Sequence, residues 1–273
     1  AGLDNIMRWL PCEIDPSEAR DRLRNKMIRP TSIPQAMEDL WLEQAVCREA
    51  LRLSLEHHRA LAVGLSGVQK QRSIADVFSQ EKNRYELVDL MALDLVIGSG
   101  GVLSHAPSRI SAALMMLDGF GLCGFTELAV DSIFMMPHLG VLSSVHPQAA
   151  QEIFLHDCLI NLGHAIAPVF PAKWAEDVPV LECRISGCDA IKLLPGELKR
   201  IDVPEGTEVE LRLIPAGKTV NTGAGPGQAF ERSVTAGACG FILDGRNRPV
   251  TFSEDAAERA ARQKELLSAV GLV

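Results

Sequence analysis

The chain has 273 residues, with 27 Lys and Arg against 35 Asp and Glu and a net charge of −8. That balance disfavours nucleic acid and anionic membrane as partners, because both repel an acidic surface. Hydrophobic residues make up 47% and charged residues 23%, which excludes global disorder, while 5% aromatic content leaves the core to aliphatic side chains, Ala and Met.

The length suits one large domain or two of about 150 residues. The first residue is Ala1 rather than Met, which points to processing, truncation or a removed tag. Residues 1–30 read as charged and irregular, punctuated by Pro11, Pro16 and Pro30. Ser32-Ile33-Pro34-Gln35 has the form of a helix start, with Ser32 as cap and Gln35 completing a capping box. The helix runs to His58 on an apolar stripe of Leu40, Cys47, Leu51 and Leu55, with Glu38, Glu43, Arg48, Arg52 and Glu56 mostly off that face. Its carboxylates, Glu43 and Glu49 among them, read as solvated. His57 and His58 suit the negative end of the helix dipole. Adjacent helical residues point about 100° apart, so the two make a poor metal pair.

Gly64 to Gln80 is mixed, with Gly64 and Gly67 breaking the pattern and Lys70, Gln71 and Arg72 solvated. Leu93–Ile97 then reads as a short buried strand, Gly98-Ser99-Gly100-Gly101 as a glycine turn, and Pro107 opens a helix through Leu117. After a loop over Gly119–Phe125 come a strand at Leu128–Val130 and helices at Pro137–Val145 and Pro147–His156. This rhythm predicts an α/β fold with a parallel sheet edge. The most apolar region, Leu128–Val145, is broken by Asp131, Pro137 and His138 and cannot span a bilayer.

Between Asn161 and Pro249 lie β segments at Val180–Ile185, Lys199–Val203, Glu208–Ile214 and Gly240–Leu243. Glu208–Leu213 alternates as a sheet with one wet face does. Ser253–Val270 is a closing amphipathic helix. The expected division is an α/β lobe over 1–158, a β-rich module over 159–252 and the closing helix over 253–273. The seven cysteines are scattered and odd in number, which suits reduced thiols in a cytoplasmic protein better than a disulfide framework. Cys183 and Cys188 are too few for a zinc site, and no metal is expected.

The glycine turn carries the main chemical signal. Without Cβ atoms a backbone lies flat against a ligand and offers its N–H groups, and nucleotides bind at the C-terminal edge of parallel strands. Alone, such a turn more often marks a tight strand-to-helix connection needing positive φ. It lacks the Gly-Lys-Ser/Thr of a Walker A loop and the spacing of a Rossmann fingerprint. Asp131 ends a strand nearby, placed either for ribose or metal-bound water or, more simply, to cap the next turn. His105 follows the turn and reads either as a group near base or phosphate or as a surface or capping residue. Met115, Met116, Met135 and Met136 read as core filler. His138 lacks the Asp-x-His-x-x-Gly pattern of a cobalamin ligand. Gly223–Gly227 fits an anion nest or a mobile hairpin tip, and Asp244-Gly-Arg246-Asn-Arg248 a tight turn whose two Arg are free for a surface ion pair or an acidic partner. No spacing defines a nucleophile triad or carboxylate pair, so no catalytic residue is assigned.

The run Leu95–His105 resembles the strand and glycine turn of the glutamate mutase accessory proteins, the MutL-like family of the actin/Hsp70/sugar-kinase ATPase superfamily. Arg29–Pro34, Glu43–Leu51, Leu128–Asp131, Met136–Leu142, Gly223–Gly227 and Gly237–Pro249 extend the likeness from about Arg29 to the C-terminus. The resemblance implies a partial actin-like (ribonuclease H-like) second ATPase lobe followed by a β-rich module. It also implies an accessory role toward an adenosylcobalamin-dependent mutase subunit, by ATP-driven release of inactivated cobalamin. ATP and Mg²⁺ are then the cofactors, with Gly98, Ser99, Gly100 and Gly101 as adenosine platform and His105 and Asp131 behind it. One departure matters: the family's phosphate-binding strand end, Asp-x-Gly-Ser/Thr, is absent and is expected upstream of Ala1. Micromolar ATP binding is worth roughly 8 kcal/mol, and losing phosphate and metal contacts of ~4 kcal/mol leaves millimolar affinity. The chain alone is expected neither to bind ATP tightly nor to hydrolyse it. Two alternatives stand beside this reading: a module that docks on a mutase subunit without nucleotide chemistry, and an α/β enzyme using the turn for another phosphate-bearing ligand.

Overall fold

The N-terminal segment forms two helices where the sequence suggests irregular chain, α1 (Leu3–Met7) and α2 (Pro16–Ile28). Asp15 accepts the N–H groups of Ser17 and Glu18 at 2.8 and 3.3 Å, and Pro16 occupies the first turn. A proline at that position starts a helix rather than breaking one. Arg22 bridges Glu18 (2.6 Å) and Asp39 (2.7 Å), tying α2 to the long helix α3 (Met37–Leu65). Ser32 does not cap α3: its N–H is bound to the Arg29 carbonyl at 3.0 Å, and the Gln35 amide donates to Ile33 instead. The computed structural model describes residues 1–65 and 88–273, and side chains outside 62–87. The mixed segment expected over Gly64–Gln80 lies, from residue 66 on, outside the described residues.

The chain continues through β1 (Leu95–Gly98), α4 (Gly101–Ser104), α5 (Arg109–Phe120), β2 (Gly124–Asp131), α6 (Met136–Ser143) and α7 (Pro147–Ile153). A π-helical turn over Phe154–Cys158 leads into β3 (Leu159–Ala167). There follow β4 (Leu181–Ile185), β5 (Ile191–Leu193), β6 (Leu198–Ile201), β7 (Glu208–Pro215), β8 (Phe230–Thr235), β9 (Phe241–Asp244) and α8 (Ala256–Ala269). The helix expected from Pro107 starts at Arg109, where the Ser108 hydroxyl accepts the Ile110 N–H at 3.2 Å. β2 is longer than the strand read from sequence, and β3, β5 and β8 were not foreseen.

The fold is α/β with mixed sheets and a C-terminal helix. One sheet has the order β1-β2-β3-β9-β6; the other, β5-β4-β7-β8, is antiparallel throughout. In the first, β1 and β2 are parallel, as are β3 and β9, while β2–β3 and β9–β6 are antiparallel. This sheet draws strands from both sides of residue 158. Leu128, Val130 and Leu162 join Leu114, Met115 and Leu266 of α5 and α8 in one apolar core. Phe125, Ile166 and Phe241 of the same sheet join Leu181, Leu211 and Leu213 of the second in another. The five-stranded sheet is thus the middle of three layers. On β7, Val209, Leu211 and Leu213 point inward while Glu208, Glu210 and Arg212 are exposed, the alternation read from the sequence. Met115 and Met116 are fully buried filler, but Met136 is substantially exposed.

Between the two sheets sits His164, 5% exposed, its ring stacked on Phe125 (5.0 Å) and Phe241 (5.4 Å). Its Nδ1 has no partner among the described residues. Burial, and secondarily the charge of Arg232, pulls its pKa down from 6.5 to about 4. The unfolded chain therefore takes up a proton below pH 6.5 that the fold refuses until about pH 4, so stability falls as pH falls through that window. Between pH 7 and pH 4 the expected loss from this group is about 3 kcal/mol. Urea titrations should show His164→Phe losing less stability than the parent over that range by about that amount.

A charge cluster corrects the reading of Asp244–Arg248 as a surface turn. Asp244 is completely buried and accepts from Arg246 Nε (2.8 Å), Arg246 Nη2 (2.7 Å) and Arg248 Nη2 (2.6 Å). Arg246 also donates to Asp118 of α5 at 2.7 Å, and Asp118 accepts Arg48 Nε of α3 at 2.7 Å. Burial pushes the Asp244 carboxyl up, but Arg246 and Arg248 outweigh it and hold it far below the ordinary carboxylate range. The two Arg are not available to an acidic partner. Glu49, expected in solvent, is likewise buried and accepts from Arg8 (2.7 Å), Trp9 Nε1 (2.9 Å) and Arg52 (2.8 Å).

All seven cysteines are free thiols. Burial pushes Cys183 up to about 12 and Cys47 and Cys239 to about 11, so these three are poor nucleophiles. Among the described residues no group of three or more His, Cys, Asp or Glu could hold a metal ion, and no helix is long and apolar enough to cross a membrane.

Candidate functional site

Parallel pairing sets Gly98 beside Val130, so β1 and β2 end at the same edge of the sheet. The glycine turn leaves β1 there, and Asp131 closes β2. The four turn residues do different things. Gly98 is buried, and a Cβ on it would lie 2.7 Å from the Met116 sulfur, so its glycine serves packing of α5 on the strand. Gly100 has φ +119, a conformation that needs glycine, and precedes the short helix α4. A Cβ on Gly100 or Gly101 would meet nothing within 4 Å, so this backbone faces open space. Ser99 donates its hydroxyl to Asp131 Oδ2 at 3.2 Å.

Asp131 is the anchor of this edge. Its carboxylate accepts the N–H groups of Met135 (3.0 Å), Met136 (2.8 Å) and Ile133 (3.4 Å), which fixes the loop into α6. Its carbonyl accepts the Ser104 hydroxyl at 2.5 Å. Burial raises the carboxyl pKa, but the donors, led by Met136, Met135 and Ser99, outweigh it and hold it below the ordinary value. Both oxygens are occupied, so Asp131 acts as a cap and a clasp between the two strand ends. With the folded pKa depressed, this stabilisation is present above pH 3.8 and is lost as the pH drops through the folded value. Asp131→Ala is expected to lower the unfolding free energy by about 2 kcal/mol at pH 7, measured by chemical denaturation.

His105 is exposed just past α4, its N–H bound to the Gly101 carbonyl at 3.0 Å. The structure gives its side chain no bond to Asp131. The loop after Asp131 exposes Ile133 and Phe134, an apolar rim the sequence reading did not single out. Their sequence signal is the run Ile-Phe-Met-Met that starts two residues after a strand-ending Asp. Gly223–Gly227 is not an open nest, because Asn221 Oδ1 already accepts the N–H groups of Gly223 (3.0 Å) and Gly225 (3.1 Å). His138 is exposed on α6.

A family model described as MutL protein matches residues 1–158. The chain belongs to the MutL protein family. The MutL match takes in α1 and α2, which the likeness read from the sequence left out, and it holds the whole glycine turn and Asp131. It stops just before β3, so the likeness drawn for Gly223–Gly227 and Gly237–Pro249 lies outside it. No curated protein and no solved structure matches the chain.

Proposed function

We propose that this MutL family chain is an accessory protein of an adenosylcobalamin-dependent mutase, and that its glycine turn receives the adenosine of ATP. The observation that carries this is the open backbone of Gly100 and Gly101 at the shared end of two parallel strands, inside the family-matched residues. Exposed Ile133 and Phe134 add an apolar surface beside it of the kind a purine face covers. On this reading the matched region is an actin-like ATPase lobe working in the cytosol, where nucleotide turnover drives the release of inactivated cobalamin.

The residues present fit the adenosine but not the metal. Asp131 has both oxygens engaged, and no other group at this edge is arranged to hold Mg²⁺ among the described residues. The Asp-x-Gly-Ser/Thr strand end is absent from the 273 residues. This chain by itself is therefore expected to bind ATP no more tightly than about millimolar. Calorimetry returning micromolar affinity would overturn that expectation. The accessory role is tested by capture of the chain on the immobilised mutase with and without ATP. Retention that changes with ATP, and stops changing in Gly101→Asp, supports the proposal. Equal retention in both conditions favours the alternative of a docking module without nucleotide chemistry.

A further inference from the structure

Beyond Asp131 the chain leaves the body of the fold. α6 and α7 pack on each other, and α7 on the π-helical turn that leads back to β3. Among the described residues neither helix packs to a comparable extent on any other helix or strand. Asp131 pins the entrance of this hairpin through the N–H groups of Met135 and Met136, and at its base the Ser132 N–H donates to the Cys158 carbonyl at 2.8 Å. Its interior is small: Leu139, Ala150 and Cys158 are buried, with Met135, Leu142 and Phe154 against them. Helices of 8 and 7 residues are marginal on so little packing.

The outer face of the hairpin is apolar. Met136, Val141, Val145, Ile153 and Leu155 are between 36% and 74% exposed. Val141 and Val145 stand about one helical turn apart, on the side away from Leu139 and Leu142. Charge is missing as well. Over residues 132–156 Glu152 is the one Asp, Glu, Lys or Arg, in a chain where such residues make up 23%. Monomers rarely leave apolar patches beyond a few hundred Å² uncovered. These five side chains present on the order of 500 Å², the apolar share of a homodimer interface of about 800 Å² per partner at about 65% apolar.

Electrostatics selects the occupant. Each copy of the chain carries −8, so two copies repel over most of their surfaces and close only through a face without charge. A two-fold axis lays this face on its own equivalent and leaves no unpaired ion at the centre.

We infer that the α6–α7 hairpin is a self-association surface, and that two copies of this chain meet across it with Val141 and Val145 at the centre. The inference does not rest on the nucleotide reading of the glycine turn.

Sedimentation equilibrium on the full chain at micromolar concentration should give twice the 29.6 kDa of one copy. Added sodium chloride should tighten the dimer, because salt screens the repulsion between two acidic bodies and leaves apolar contact intact. Val141→Glu combined with Val145→Glu should weaken association about 100-fold or more, since it forces like charges together at a desolvated face. Both positions are exposed, so the circular dichroism spectrum should match that of the parent. Val178→Glu, an exposed position outside the hairpin, should leave the dimer unchanged. Should the double variant disturb the hairpin, Val145→Lys alone, placed beyond the last residue of α6, gives the same reading. A parent chain that stays at 29.6 kDa, a dimer that loosens as salt rises, or one untouched by charge at 141 and 145 overturns the inference. A monomer captured by the mutase subunit, with capture lost in the double variant, assigns the hairpin to that partner and overturns it too.

Discussion

Asp244→Ala is expected to lower the stability of the fold by about 3–5 kcal/mol, the cost of leaving buried charges without their partner. Asp244 is fully enclosed and takes four hydrogen bonds from Arg246 and Arg248, one of them from the Arg246 backbone N–H, and the two side chains are themselves 6% and 9% exposed. Truncation takes the shared carboxylate from two largely buried guanidinium groups, of which Arg246 keeps Asp118 and Arg248 keeps no carboxylate among the described residues. Set against a typical total of about 5–15 kcal/mol, the loss brings the chain near unfolding at room temperature. The urea midpoint followed by circular dichroism reads it directly. The triple change Asp244→Leu, Arg246→Met, Arg248→Leu should recover most of the loss, since apolar groups of similar volume replace buried ions at little cost. A single-variant loss under about 1 kcal/mol would mean that solvent reaches the cluster.

The second large effect is expected at Gly163→Ala. Gly163 lies inside β3 with φ +114, and a Cβ there would stand 2.2 Å from the Gly240 carbonyl oxygen. That oxygen accepts the His164 N–H at 3.1 Å and belongs to the first contact between β3 and β9. Backbone must move to admit the methyl group, and the dihedral is strained besides, so the expected loss is about 3 kcal/mol or more. Gly101→Ala is the contrast: its backbone conformation is open to any residue and nothing stands within 4 Å. There the change is expected to stay within about 0.5 kcal/mol. Equal losses at the two positions would show that the packing of β3 on β9 is looser than the geometry indicates.

These positions also show what sequence reasoning can reach. β7 was legible because its side chains alternate between a wet and a dry face, and α8 because its polar and apolar residues fall on opposite sides. β3 was not. It is buried along most of its length, so no alternation shows, and its interior glycine reads as a breaker until the carbonyl it makes room for is known. β8 failed for the opposite reason: it is an edge strand, almost wholly exposed, and carries polar residues on both faces. Glu49 reads as solvated and Arg48 as mostly off the apolar stripe, because charge on a helix is usually solvated. Their partners stand 70 residues ahead at Asp118 and 40 residues back at Trp9, beyond any local pattern. In the candidate site the turn and Asp131 were both visible. The division of labour among the glycines was not, because it depends on Met116 of α5 lying against Gly98.

The layout of the first sheet bears on how this chain can be divided. The family match ends at Cys158, yet β2, which carries Asp131, has β3 as its neighbour along all eight of its residues. A piece cut at the end of the match would keep only the β1–β2 pair and bare one flank of β2, a row of unpaired N–H and carbonyl groups beside the apolar side chains of Leu128 and Val130. Such an edge templates self-association. The strands after residue 158 thus act as an insulating border for the region that holds the glycine turn, and a shortened chain would be prone to clump before any ligand could be offered to it.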